Sequence, residues 1–210
     1  MKQGAYNVAA RTMSLLTVTL TVYLLLWQLL QRFFTWPVYY YGRLIELLGL
    51  LLFVSLAVLT PMRFERMGLC TSSGTLLRSL AWGGGLGLLF VCALIFYSAL
   101  RYGEVRFSLT VLGDISRITY FVVAPFQEVL AKSVMYYSFE LVFEERHPHL
   151  ANVMSAVTFG AFHVAYGIRM MLLAMALSLV TGWIFQKERS VWGCAVAHFA
   201  CGFFPACFGL

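Results

Sequence analysis

Glu128 and Lys132 stand four residues apart in an otherwise apolar run, with Gln127 just before them, and two later apolar runs carry one histidine each, His163 and His198. Carboxylate and imidazole are the groups that activate a water molecule and stabilise an oxyanion. Hydrocarbon penalises an ionisable side chain by roughly 2.5–3.5 kcal/mol at mid-bilayer on insertion scales, so a set of such residues on successive runs is a functional-site candidate. Each also has a plainer reading. On a helix Glu128 and Lys132 share a face, with the acid N-terminal to the base, and can neutralise each other as a buried ion pair. Phe159 lies one turn before His163, with the small residues Gly160 and Ala161 between, so Phe159 either walls a pocket that His163 faces or packs beside a hydrogen-bonded helix histidine. His198 presents the same choice.

The elements that must position these residues are membrane helices. Of 210 residues, 61% are hydrophobic and 11% charged, and the mean hydropathy is +0.82; soluble domains carry about 25% charged residues. The fold class is therefore all-α, a polytopic transmembrane bundle of about seven helices, each needing roughly 20 apolar residues. The spans read as Thr12 to Leu30, Leu44 to Thr60, Leu80 to Leu100, Ile118 to Phe143, Leu150 to Tyr166, Met170 to Phe185 and Val191 to Leu210. Arg32, Pro37, Arg43, Pro61, Arg63, Arg66 and Arg78 mark the early gaps, and the first run lacks a small-residue cleavage site, which makes it a retained helix. Gly83, Gly84, Gly85 and Gly87 open the third run, where missing side chains let another backbone approach; no Gly-Lys-Ser or Gly-Lys-Thr follows, so packing and not a phosphate loop is the reading.

The net charge of +6 is spread over the gaps between runs, a pattern of membrane topology and not of nucleic-acid binding. Eight Lys and Arg fall on the N-terminal side against six on the other, which favours a cytoplasmic N-terminus. Arg101 to Arg117 mixes charges with Val105, Phe107, Leu109, Val111 and Leu112 and reads as an interfacial linker. The five cysteines, Cys70, Cys92, Cys194, Cys201 and Cys207, form no C-x-x-C pair and read as small apolar fillers. Glu46 and Glu140 are expected to reach the interface, and Glu144, Glu145, His147 and His149 to lie in a loop.

From about Ile118 to Phe204 the chain resembles the CPBP (CAAX protease and bacteriocin-processing, or ABI) intramembrane proteases. Their Glu-Glu-x-x-x-Arg motif corresponds to Gln127-Glu128-Val-Leu-Ala-Lys132, after Ala124-Pro125-Phe126; Phe-x-x-x-His is intact as Phe159-Gly-Ala-Phe-His163; His-x-x-x-Asn appears as His198-Phe-Ala-Cys-Gly202. The apolar runs divide the chain into an N-terminal region of three spans and a linker over 1–110 and a four-span region over 111–210, and the resemblance makes the latter the CPBP-like core. It implies a glutamate-dependent intramembrane endopeptidase that cleaves a membrane-embedded or lipidated peptide, such as a prenylated one, by an activated water, with no cofactor and no metal. Its partners would be the lipid bilayer and that peptide, or a partner protein, with no nucleic acid; a bacterial cytoplasmic membrane is the expected location. Carried over by position, His163 would help activate or orient the water and His198 would support the tetrahedral intermediate; Glu128 matches the second glutamate of the motif and would have to take over from the first, with Gln127, Lys132, Phe159 and Gly202 in supporting places.

Three departures fall on those places. Gln127 stands where the motif has its first carboxylate and cannot act as a general base; such a base contributes about 10²–10⁴-fold. Lys132 keeps a charge but not the planar fork of arginine. Gly202 removes an amide from the oxyanion side. The anterior-pharynx-defective subunit of γ-secretase resembles the same family, also carries a Gln-Glu pair and serves assembly, so a catalytically impaired scaffold or binding protein stands as the alternative. A zinc protease is a third reading, with Glu128, His163 and His198 as ligands, though no His-Glu-x-x-His occurs.

Overall fold

A computed structural model describes residues 2–60, 65–143 and 146–210. Pro61, Arg63, Glu144 and Glu145, read above as gap and loop residues, lie outside the described residues. Seven continuous helices occur among the described residues, and no strand. They are α1 (Lys2–Phe33), α2 (Val38–Leu59), α3 (Ser73–Tyr102), α4, α5 (Pro148–Ala161), α6 (Ile168–Glu188) and α7 (Val191–Cys207). Helix α4 runs through three consecutive segments, α-helical over Ile115–Glu128, π-helical over Val129–Tyr136 and α-helical again over Tyr137–Val142.

Local chemistry sets several of the ends. Ser72 Oγ accepts the Thr75 amide at the start of α3, and Asp114 Oδ1 accepts the Ser116 amide at 2.8 Å at the start of α4. That bond, with the Ser116 side chain, holds the exposed Asp114 carboxyl below its ordinary pKa. Pro148 opens α5, where its missing N–H costs nothing. Gly103 closes α3 at φ 73°, in the left-handed region that favours glycine. Between α3 and α4 the linker contains only a short 3₁₀ turn, Thr110–Gly113, and its Ser108 amide bonds to the Cys207 carbonyl at 2.8 Å, so it lies against the end of α7 and spans nothing.

Four helices are long and apolar enough to cross a membrane: Asn7–Phe33, Tyr40–Leu59, Ser73–Tyr102 and Ile168–Glu188. Large apolar side chains such as Leu25, Val58, Leu88, Leu89, Phe96 and Leu173 are exposed on them, as contact with lipid requires. The three remaining helices, with the turn after α5 that holds His163, carry the polar motif residues. α4 holds Glu128, Lys132 and Glu140, and α5 and α7 have 14 and 17 residues. Every residue from Leu130 to Glu140 is buried, so the middle of α4 is the axis of the bundle and faces protein instead of hydrocarbon. The chain is thus a multi-pass integral membrane protein whose polar helices are shielded by apolar ones.

The glycine-rich run does only part of what its composition suggests. Gly83 and Gly87 face α7: a Cβ on Gly83 would overlap the Gly193 carbonyl, and one on Gly87 would come within 2.9 Å of Ala200 Cβ. Ser79, one turn before Gly83, accepts the Gly193 amide at 3.0 Å. Gly84 and Gly85 face open space. Gly193→Ala is therefore expected to push α3 and α7 apart and cost about 1–3 kcal/mol, whereas Gly84→Ala is expected to gain about 0.5–1 kcal/mol from helix propensity. Thermal unfolding of the two variants in detergent checks this, and equal midpoints would contradict it. Of the cysteines, Cys194 and Cys207 are buried fillers, but Cys70 and Cys92 are exposed; all five are free thiols.

Candidate active site

The π-helical segment begins directly after Glu128, and it changes what the spacing of four residues means. Wider turns rotate Lys132 away from the face it would share with Glu128 in an α-helix. Lys132 is fully buried and its Nζ donates to the Ser178 carbonyl at 2.6 Å and the Ser178 hydroxyl at 2.9 Å, both on α6. The expected direct Glu128–Lys132 ion pair is absent, although the Lys132 charge still acts on Glu128. Neighbouring hydroxyls steady the same segment: Ser155 of α5 donates to the Ala131 carbonyl and Ser133 to the Met67 carbonyl, each at 2.7 Å.

The Glu128 carboxylate is fully buried, and its partner is His198 on α7: Nδ1 of the imidazole lies 2.9 Å from Oε1. A carboxylate accepts, so Nδ1 carries the hydrogen, and Nε2 is the ring nitrogen left for other partners. The other oxygen, Oε2, is buried without a hydrogen-bond partner. A buried acceptor left open in this way is costly and uncommon.

His163 does not continue the helix of Phe159. α5 ends at Ala161, and His163 sits in the turn that leads into the 3₁₀ segment Val164–Tyr166. Its Nδ1 is 2.8 Å from the Phe159 carbonyl, one of the acceptors the helix end leaves open. A carbonyl only accepts, so His163 also has its hydrogen on Nδ1 and its lone pair on Nε2. The Phe159 ring touches both imidazoles, with centroids 4.6 Å from His163 and 5.9 Å from His198. Tyr23 of α1 donates to the Phe162 carbonyl at 2.9 Å and fastens the turn from the outside. Two imidazoles and a carboxylate therefore come together, with Glu128 engaging His198 and not His163.

Gln127 is half-buried and turned toward α2. Its Nε2 donates to Glu46 Oε1 at 3.4 Å, and Glu46 Oε2 pairs with Arg43 at 2.8 Å. Glu46 is half-buried and presents a carboxylate to the position where the motif has its own. Glu140 is buried, in a bidentate pair with Arg189 of the α6–α7 turn. Gln127→Glu would set two carboxylates side by side, which cannot both stay ionised without cost. That variant is expected to unfold at lower temperature than wild type, with Glu46→Gln restoring the midpoint; unchanged unfolding in the single variant would contradict it.

Gly202 is crowded. Any Cβ there would overlap the Tyr120 hydroxyl of α4, and Tyr120 Cε1 would lie 2.8 Å from it. Tyr120 also stands edge-on to His198, with centroids 6.1 Å apart. Among the described residues no three His, Cys, Asp or Glu side chains are grouped to hold a metal ion, and Glu128, His163 and His198 are no such group.

Residues 112–204 match the family model Rce1-like, described as type II CAAX prenyl endopeptidase Rce1-like. This segment is an Rce1-like domain of the CPBP family. It begins just before the Asp114 cap of α4 and runs into α7, and so contains Gln127, Glu128, Lys132, Phe159, His163, His198 and Gly202. Helices α1 to α3 lie before the Rce1-like domain. No curated protein and no solved structure matches the chain.

Three residues around the Rce1-like motifs escaped the sequence reading. Ser178, Glu46 and Tyr120 belong to no motif, and each meets a motif residue across a helix interface. Tyr120 alone left a trace: Tyr120, Ala124, Glu128 and Lys132 recur every four residues, which over 120–128 keeps them near one face of α4.

Proposed function

We propose that this chain is an intramembrane endopeptidase whose chemistry lies in residues 111–210, acting on a membrane-embedded or lipidated peptide, with 1–110 as membrane helices packed around that core. The observation that carries the reading is the 2.9 Å bond between His198 Nδ1 and the buried Glu128 carboxylate. Such a carboxylate orients an imidazole and stabilises its protonated form, leaving Nε2 to take a proton from water. In the proposed step His198 Nε2 removes that proton as the water oxygen adds to the peptide carbonyl carbon. His163 Nε2, directed by the bond from its Nδ1 to Phe159, holds the water's second hydrogen. The imidazolium then returns its proton to the leaving amine, and the carbonyl reforms. Glu128 is in this reading a positioning residue. It takes over from the missing first carboxylate by acting through His198.

A non-catalytic role as a membrane scaffold or binding protein is the second reading, and one observation favours it: the amide at Gln127 is tied to Glu46, away from the imidazoles. Purified protein incubated with a library of transmembrane and prenylated peptides separates the two. The peptidase reading expects cleavage by wild type and its loss in His163→Ala. A silent wild type, with cleavage appearing in Gln127→Glu/Glu46→Gln, would refute it and leave the scaffold.

A further inference from the structure

The oxyanion formed by such a step needs a hydrogen-bond donor, and in the proposed step neither imidazole is free to be one, because each turns its Nε2 lone pair to the water. Residue 202, one turn after His198, has no side chain to offer. The space over its Cα is filled by the Tyr120 hydroxyl, which reaches across from α4. Tyr120 is half-buried, and Phe199 packs on its ring, with centroids 6.2 Å apart, so the phenol is fixed in direction. Its ring stands edge-on to His198. Besides His198, the titratable groups around it include Glu128, Cys201, Arg117 and Tyr166. Its hydroxyl nevertheless makes no hydrogen bond to any described residue. A phenol is a good donor, and one that is held in place but unspent beside a catalytic imidazole has no evident structural duty.

We infer that Tyr120 is a catalytic residue that donates its Oη–H to the substrate carbonyl oxygen, in the place that the side chain missing at Gly202 leaves open. The inference rests on the peptidase reading and specifies its transition state. As water adds to the carbonyl carbon, the C=O π pair moves onto oxygen, and the Tyr120 hydrogen bond to that oxygen shortens while the phenol keeps its proton. The contact is stronger in the transition state than with the ground-state carbonyl, so its loss falls on kcat and leaves KM nearly unchanged. With the Tyr120 hydroxyl where it stands, a side chain at 202 has no room, so an asparagine there must displace it.

The test measures kcat and KM for a cleaved membrane peptide in wild type, Tyr120→Phe, Tyr120→Ala, Gly202→Asn and Tyr120→Ala/Gly202→Asn, with thermal midpoints recorded for each. Tyr120→Phe is expected to lose about 10²–10³-fold in kcat, as removal of one oxyanion donor does elsewhere, with its midpoint unchanged because the hydroxyl bonds to nothing in the fold. Gly202→Asn alone is expected to be inactive and less stable. The double variant is expected to recover at least tenfold in kcat over Tyr120→Ala, since the amide then has both room and task. Wild-type kcat in Tyr120→Phe, while Glu128→Gln is inactive, would overturn the inference and leave the peptidase reading standing. So would a double variant no better than Tyr120→Ala. A wild type that cleaves nothing would overturn both.

Discussion

Glu128→Gln is expected to lower kcat for peptide cleavage by about 10²–10⁴-fold in the folded protein, and also to lower the unfolding midpoint, because the buried Lys132 ammonium loses its opposite charge. An amide at 128 has the shape of the carboxylate but not its charge. If its oxygen faces His198, the hydrogen bond to Nδ1 remains, yet nothing stabilises the imidazolium. If its NH₂ faces His198, the ring must carry its hydrogen on Nε2 and can no longer accept one from water, the loss seen when a triad carboxylate becomes an amide. His198→Ala is expected to fall as far, and Glu128→Gln/His198→Ala no further than the deeper single variant, because the two residues act as one unit. Single-turnover rates on a membrane peptide measure all three. Losses that multiply in the double variant would show that Glu128 works apart from His198, contrary to the geometry of a 2.9 Å bond.

Lys132→Met is expected to destabilise the protein by about 3–5 kcal/mol, the usual result of removing one partner from a buried charge pair. The ammonium has two bonds to Ser178 and is fully buried, and its charge acts on a Glu128 that has no solvent around it. Methionine fills similar volume, so the cost is electrostatic more than steric. It leaves the Glu128 carboxylate without its cation and the Ser178 hydroxyl without its donor. Adding Glu128→Gln is expected to recover a large part of the loss, since no buried charge then remains to be compensated. Chemical or thermal unfolding in detergent reads both variants. A double variant as unstable as Lys132→Met would mean that the ammonium serves Ser178 and α6 packing alone.

The spacing of four between Glu128 and Lys132 shows where sequence periodicity stops being informative. Both residues are buried on α4 as the apolar run implies, but the segment after Glu128 is π-helical, and nothing in Val129-Leu-Ala-Lys-Ser announces it. Widening the helix leaves carbonyls that other elements must satisfy, and the hydroxyl of Ser155 on α5 does so. The partner needed to stabilise the distortion is 24 residues away, out of reach of any local pattern. His163 is a similar case. Phe159 and His163 were read as one helix face, whereas the helix stops two residues before the histidine and the imidazole closes its end.

The all-α class, the number of helices and the multi-pass membrane location were legible in the sequence, because hydrophobic length and the cost of charge in hydrocarbon act residue by residue along the chain; that, among the described residues, only four of the seven expected spans are long and apolar enough to cross was not. The Rce1-like motifs were legible for the same reason: they are local spacings on three helices. What only the tertiary structure decided is who meets whom. Glu128 bonds to His198, Lys132 to Ser178 and Gln127 to Glu46, and the Tyr120 hydroxyl fills the space over Gly202. Each of these meetings joins helices whose relative rotation is set by packing between small residues and by a π-helical turn. Hydrogen bonds demand a match within a few tenths of an ångström, and that precision arises only when the helices are assembled.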